Sequence, residues 1–428
     1  MVPVFKAGEK TNPSNYRPIS LTCIACKMLE HIILRELNKH LYGKISSDQH
    51  GFREGLSSTT QLVGLLHEIM KEVDKGRYIQ AAFLDFSKAF DRVSHSLLLQ
   101  KLKGHFAIPM GLLKWIESFL TGRRQRVLLN GAMSEELPVT SGVPQGSVLG
   151  PTLFLMYIND ITDAITCHVK LFADDLLIFD YLDNALSVSN FQRNLDNLEE
   201  WAKKWKMKFN VSKCNAMVFG KMPNAYEKSN FNLLLAGENI TVVEKVKYLG
   251  VTIRNSLKWD THVYNITTKA YKILGLIKHT LYNAPTKVKL VAYKSLCRPL
   301  VEYASEAWDP YTKKLIEHIE LFQNKAIRFI LDLKGICSIS DARNLLEIET
   351  LSERRKTART SLLMKIISGD SESTAIIREC FTDLVTNQHD HFTRLSQSSV
   401  PFTLQSNLLP FHNSFVPRTT RDLRLSTV

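Results

Sequence analysis

Apolar positions along the first 330 residues or so fall into helical and strand periods, and their alternation sets out most of the elements. Met28, Leu29, Ile32, Ile33, Leu37 and Leu41 recur at helical spacing, as do Leu62, Val63, Leu66, Ile69, Met70 and Val73. Between the two helices, Asp48-Gln49-His50-Gly51-Phe52-Arg53 reads as a loop or short strand. Ile79 to Phe86 is a short apolar run bounded by Gly76 and by Ser87-Lys88, which predicts a buried strand ending in an acid. A helix follows from about Ser94, and another runs from Pro109 through Leu112, Leu113, Ile116 and Leu120 to Gly122. Val127 to Leu129, closed by Asn130-Gly131, reads as a strand entering a tight turn.

Ser141 to Gly150 carries three glycines and a proline, and helical spacing resumes from Leu153 to Ile165. Two apolar strands between His168 and Phe179 flank Asp174-Asp175, the pattern of a hairpin with acids at its tip. Phe191, Leu195, Leu198, Ala202 and Trp205 line one face of a long helix, with Trp201 and Trp205 read as its core. Ala216 to Phe219 and Lys247 to Ile253 read as strands. Helices on one side of a small antiparallel sheet predict an α+β fold. From about Ser256 the chain turns helical and basic, and beyond about residue 335 it becomes polar. The last fifty residues, rich in Ser, Thr, His and Asn, show no periodicity and receive no assigned structure.

The composition adds a core and a partner class. With 44% hydrophobic and 23% charged residues in 428, the chain can bury a sizeable interior. Its formal charge of +13 suits a polyanionic partner. Residues 201–300 hold 18 Lys or Arg against 4 Asp or Glu, so this one segment carries the basic character. Seven cysteines are scattered, with no second close pair to complement Cys23 and Cys26, which predicts neither a zinc site nor a disulfide framework and suits a reducing compartment. Pro3, Lys6, Glu9 and Lys10 interrupt any signal-like apolar stretch, and no run approaches the roughly 20 apolar residues of a membrane span. The expectation is an intracellular protein, nuclear or cytoplasmic, without membrane contact.

Asp85 closes a buried strand, and Asp174 and Asp175 follow at a hairpin tip. Carboxylates on adjacent strand ends are what phosphoryl transfer to a growing nucleic acid strand needs, because they hold two hard cations about 3.5–4 Å apart. An acid pair alone is more often a solvated turn. This one is accompanied by Asn15-Tyr16-Arg17-Pro18-Ile19-Ser20, Gly51-Phe52-Arg53, Phe83-Leu84-Asp85-Phe86-Ser87-Lys88-Ala89-Phe90-Asp91, Gly142-Val143-Pro144-Gln145-Gly146-Ser147, Phe172-Ala173-Asp174-Asp175 and Lys247-Tyr248-Leu249-Gly250-Val251. In that order and spacing, over about residues 1–255, the chain resembles the reverse transcriptase domain of non-LTR, LINE-type retrotransposons.

The resemblance implies a right-hand polymerase: the N-terminal part of the fingers in 1–80, a palm with interleaved fingers elements and the primer grip in 81–255, a helical basic thumb in 256–335, and a C-terminal extension of unknown role in 336–428. It implies RNA-directed DNA synthesis from deoxynucleoside triphosphates, a DNA primer and an RNA template, with two Mg2+ ions or Mn2+ in their place. Asp85 and Asp174 would be metal ligands, and Asp175 a third ligand or an acid just behind them. Phe90 matches the ring that blocks a 2'-hydroxyl; read without the motif it is a core phenylalanine at a helix start. Gln145 would contact the incoming nucleotide or the template, with Gly142 and Gly146 allowing backbone close to bases. Arg53 resembles the residue that clamps the triphosphate. Arg17 has three readings: the same clamp, a template contact, or a solvated loop side chain. Lys88 meets phosphate or caps the strand end. Lys213 falls near the position that protonates the leaving pyrophosphate, and equally reads as a surface lysine. Tyr248, Leu249 and Gly250 resemble the primer grip. Among the thumb cations, Lys272, Lys278 and Lys289 would track duplex phosphates. The endonuclease and the Cys and His clusters of such elements have no counterpart here, which suggests a truncated copy, a gene-model fragment or a separately encoded polymerase. The competing expectation is a decayed or domesticated copy that binds nucleic acid without catalysis.

Overall fold

A computed structural model describes the chain outside residues 221–231, 334–337, 370, 382–405 and 427–428. It divides into two compact units. The first comprises the described residues of Met1–Arg53, Ala81–Ala216 and Tyr226–Val242, and the second those of Glu54–Gln80, Met217–Ala225 and Val243–Val428.

The first unit holds most of a five-stranded sheet in the order Thr241–Val242, Asn215–Phe219, Ile79–Asp85, Asp175–Tyr181, His168–Phe172, of which residues 79–80 and 217–219 fall in the second unit. The central strand is buried from Ile79 through Leu84 and only Asp85 reaches partial exposure, which is why it reads as an unbroken apolar run rather than an alternating one. The 168–172 and 175–181 strands are antiparallel with Phe172 opposite Asp175, so Ala173 and Asp174 form the connection and Asp175 opens the second strand. The edge pairing of 215–219 with 241–242 is parallel, where an antiparallel sheet was expected. A parallel pair needs a crossover of about a dozen residues or more, and strand alternation alone does not disclose one.

A buried cation joins three helices of this unit, His95–Gly104, Gly150–Ile158 and Ala185–Lys204. Lys101 Nζ lies 2.5 Å from Asp160 Oδ1 and 3.6 Å from the centre of the Trp205 ring, and it donates to the Tyr157 carbonyl. Trp201 Nε1 donates to the same Asp160 oxygen at 2.9 Å. Both tryptophans are therefore core, as their helical spacing suggested. Helix Ile24–Leu41 forms where expected, and Leu37 and Leu41 of its stripe are buried, but Met28, Leu29 and Ile32 in its first half are exposed while Glu30 is buried. The reason is a tertiary bond that periodicity cannot show. Glu30 Oε2 accepts from the amides of Val148 (2.7 Å) and Leu149 (3.1 Å), where the 150–158 helix begins and its N–H groups lack internal partners.

The second unit is largely helical. Helix Ser58–Asp74 is buried over most of its length and packs against Ser305–Trp308 and the C-terminal helices Leu409–His412 and Phe415–Ser426. Asp74 accepts from the backbone amide of Asn407 at 2.9 Å. The described part of the last fifty residues is thus folded, contrary to the sequence expectation, and residues 382–405 lie outside the described residues. Helix 415–426 is held by contacts distant in sequence: Phe415 and Val416 are buried, and Arg418 and Asp422 pair with Asp309 and Arg359. No described helix is long and apolar enough to cross a membrane.

Candidate active site

Asp85 ends the central strand and Asp174 stands in the connection between the two strands beside it. Both line a cavity of about 1370 Å3 in the first unit, while Asp175, one residue on, does not. Burial raises the Asp174 carboxyl above its ordinary value, and neighbouring Asp85 adds to the effect. Asp175 is pushed up to about 6, by burial first and then by Asp174 and Asp85. Like charges are thus gathered where water is scarce, which favours protonation unless cations offset them.

Cations of the chain face the same cavity. Lys213 Nζ is 3.6 Å from Asp85 Oδ2. Lys6 and Arg17, on the hairpin formed by Val2–Phe5 and Tyr16–Ile19, line the cavity, and both pull the Asp174 and Asp175 values back down. Lys88 also lines it, exposed, in a left-handed conformation at φ 53° and without a side-chain cap bond to the helix that follows. Arg53 is placed differently. It is absent from the cavity lining, and its guanidinium donates to the Ser46 carbonyl at 2.8 Å in its own loop. Among the described residues no three His, Cys, Asp or Glu side chains converge tightly enough to enclose a metal by themselves.

The loop from Gly142 to Gly146 is fixed by the segment just after Asp85. Gly142 N donates to Val93 O (2.7 Å) and Val143 N to Phe90 O (2.9 Å), and His95 Nε2 lies 2.8 Å from Gly142 O. Gln145 Nε2 donates to Asp91 Oδ1 at 2.9 Å, which aims the amide along the cavity wall. Burial raises the Asp91 carboxyl, and that hydrogen bond opposes the rise. Gly146 sits at φ 101°, and a Cβ there would come within 2.8 Å of Ser20 O, so both conformation and space require glycine. Phe90 stacks on Phe154 with centroids 4.3 Å apart and meets the edge of Phe52 at 6.1 Å. Phe52 is 57% exposed and held at φ 56°, a rare conformation for a bulky residue and one that concentrates at functional sites.

In the second unit Lys245–Tyr248 and Val251–Arg254 pair as a hairpin whose turn residues, Leu249 and Gly250, have φ of 43° and 84°. Tyr248 is buried, its hydroxyl within 3.3 Å of Gln61 Nε2, so the turn presents the backbone of 249 and 250 and not the tyrosine ring. Tyr303 OH reaches Leu249 O (3.0 Å) and Ser58 Oγ (2.8 Å). Lys272 and Lys278 are exposed on helix Asp260–Thr280. Lys289 is not a surface cation: it is 1% exposed, with Nζ 2.7 Å from both oxygens of Asp332, so its charge is neutralised inside the fold.

Residues 6–253 match the family described as reverse transcriptase (RNA-dependent DNA polymerase). The chain belongs to the reverse transcriptase family. Its relatives are polymerases of non-LTR retrotransposons, and the α+β fold is that of the family. The RNA-directed DNA polymerase from mobile element jockey of Drosophila melanogaster is 29% identical over 372 residues, covering 83% of this chain and 40% of that protein. The probable RNA-directed DNA polymerase from transposon X-element of the same fly is 31% identical over 345 residues, 76% of this chain and 37% of that protein. The reverse transcriptase chain here therefore spans about 40% of the length of the curated relatives it matches. Among solved structures, telomerase of Candida tropicalis in complex with a TWJ fragment of telomeric RNA aligns with a TM-score of 0.39 and 11% identity, over 83% of this chain and 56% of that one.

Sequence reasoning missed Lys6, Gln49, Asp91 and His95. Asp91 and His95 carried a usable signal only in being polar residues just after a motif acid, since a break at Val93 and Ser94 puts them on separate helices. Lys6 had none, since its partners lie far along the chain.

Proposed function

We propose that this chain is an RNA-directed DNA polymerase that extends a DNA primer on an RNA template with deoxynucleoside triphosphates. The observation that carries the reading is the cavity shared by Asp85, Asp174 and the cations Lys6, Arg17, Lys88 and Lys213. All-oxygen carboxylates suit magnesium, which takes only one or two per ion and fills its shell with water and phosphate, so three enclosing ligands are not required. Asp85 and Asp174 would hold the ions, and Asp175 would support the field from behind. Two such ions, when bound, would stabilise the negative charge that builds on the attacking and leaving oxygens.

The remaining roles belong to the chain. Lys6 and Arg17 grip the triphosphate from the N-terminal hairpin, a task that Arg53, turned to its own loop, is not positioned to share. Lys213, beside Asp85, is the candidate donor of a proton to the departing pyrophosphate. The Phe90 ring, backed by Phe154, crowds the sugar where a 2'-hydroxyl would sit. Gln145, oriented by Asp91, meets the incoming nucleotide or the template base, and Gly146 lets backbone approach. The 249–250 turn offers backbone groups to the primer, and Lys272 and Lys278 contribute sequence-independent phosphate attraction.

The test is primer extension by purified protein on an RNA template with Mg2+. Extension that requires all four deoxynucleotides in template order supports the reading. Salt-sensitive binding of the template-primer without extension would instead mark a nucleic-acid-binding remnant.

A further inference from the structure

The connection that carries Asp174 is built on a residue in a disfavoured conformation. Ala173 has φ 53°, a region that Cβ makes costly for any residue but glycine. Its backbone groups lie beyond the last strand pair, Phe172 with Asp175. Both are met by a single side chain: Gln49 Oε1 accepts from Ala173 N at 2.8 Å, and Gln49 Nε2 lies 3.3 Å from Ala173 O. The same Oε1 accepts from Gly51 N at 2.8 Å, so the amide ties two chain segments together.

The surroundings fix Gln49 in that task. It is 2% exposed, and its own segment is fastened to the strand before the turn through His50 N to Leu171 O and Leu171 N to Asp48 O, both 2.9 Å. A Cβ on Gly51 would come within 2.3 Å of Ala173 N, so no other residue could let the segments approach so closely. The next residue, Phe52, enters the cavity. One short segment thus braces the turn of an acid and supplies part of the lining of the same cavity.

We propose that Gln49 is a positioning residue for nucleotide addition: its amide holds Ala173 in the left-handed conformation and thereby aims the Asp174 carboxylate into the cavity. This rests on the polymerase reading given above. Gln49 does not line the cavity and would act only through the turn that carries Asp174. Its loss should therefore weaken metal engagement and leave duplex binding alone.

Gln49→Met tests this, because it keeps the length and volume of the side chain and removes both polar atoms. Amide exchange at Ala173 and Gly51 should quicken on the order of tenfold, the scale of one net hydrogen bond, while amides of the flanking strands stay as slow as in wild type. Mn2+ affinity, read from the free-ion paramagnetic resonance signal, should weaken on the order of tenfold. The Mg2+ concentration for half-maximal extension should rise in step, with template-primer affinity unchanged. Gln49→Glu retains an acceptor for both amides and should restore slow exchange. It also carries the test if the methionine variant does not fold, since exchange at 173 and 51 in Gln49→Glu must then match wild type. Wild-type exchange and Mn2+ affinity in Gln49→Met overturn the proposal, as does a Gln49→Glu protein with fast exchange at these two amides. Exchange and Mn2+ binding do not need catalysis, so a wild-type protein that fails to extend primers would count against the polymerase reading and leave Gln49 to be judged separately.

Discussion

Replacing Asp309 by Asn should cost the second unit about 3–5 kcal/mol, the usual loss when one partner of a buried charge pair is removed. Asp309 is buried, and its two oxygens accept from Arg355 Nε at 2.6 Å and Arg359 Nε at 2.9 Å, with Arg418 3.3 Å away. Arg359 has a second acid in Asp422. Arg355 does not: its terminal nitrogens are buried without partners among the described residues, so Asp309 carries its whole compensation. An amide of nearly the same shape leaves that guanidinium charged and unpaired. For a unit of this size the loss corresponds to a fall in Tm of roughly 6–20 °C. Calorimetry and urea unfolding of the whole chain would measure it. A triple variant, Asp309→Leu with Arg355→Met and Arg359→Met, should recover part of the loss, because it removes the three most deeply buried charges together and leaves only the partly exposed Arg418 and Asp422. An Asp309→Asn protein within about 1 kcal/mol of wild type would refute this description of how helix 415–426 is anchored.

Two further outcomes follow from single side chains. His262 accepts from Thr252 N at 3.1 Å through Nδ1, and burial, aided by Lys269, depresses its pKa to about 4. The unfolded chain therefore binds a proton below about pH 6.5 that the folded chain refuses, so stability is full above that pH and falls by up to about 3 kcal/mol as pH drops from 6.5 toward 4. His262→Gln should flatten this slope in urea unfolding at pH 7, 6 and 5, and an unchanged slope would remove the residue from the explanation. Phe90→Ala should raise incorporation of ribonucleotides relative to deoxynucleotides in single-nucleotide assays. Unchanged sugar choice, accompanied by a stability loss of about 3–5 kcal/mol, would make Phe90 a core residue packed on Phe154 and nothing more.

What could be read in the chain was whatever short-range physics controls. The apolar run from Ile79 to Phe86 and the two runs around Asp174-Asp175 disclosed the strands, and the spacing of Leu62 to Val73 disclosed a helix. Side-chain direction was another matter. Glu30, Lys289 and Asp309 are buried because of partners more than 40 residues away, and nothing in their neighbours' hydropathy reports those partners. Arg53 was a sound candidate by type, yet carbonyls of its own loop accept from its guanidinium, while Lys6 and Arg17 line the cavity that Asp85 and Asp174 line. The helices after residue 405 were illegible for the same reason, since the partners that bury Phe411, Phe415 and Val416 and pair with Arg418 and Asp422 lie far along the chain.

The polymerase reading stands or falls most directly on Asp174. Asp174→Asn removes one charge with little change of shape, at a side chain that lines the cavity and stands in the connection outside the strand pairing of the hairpin. The measurement is single-nucleotide addition to a DNA primer annealed to an RNA template, with duplex affinity and Tm recorded on the same samples. Binding and melting should stay at wild-type levels while addition falls by several orders of magnitude, as expected when a metal-binding carboxylate is lost. Appreciable addition by a folded, duplex-bound Asp174→Asn protein would contradict the assignment of this cavity as the site of synthesis.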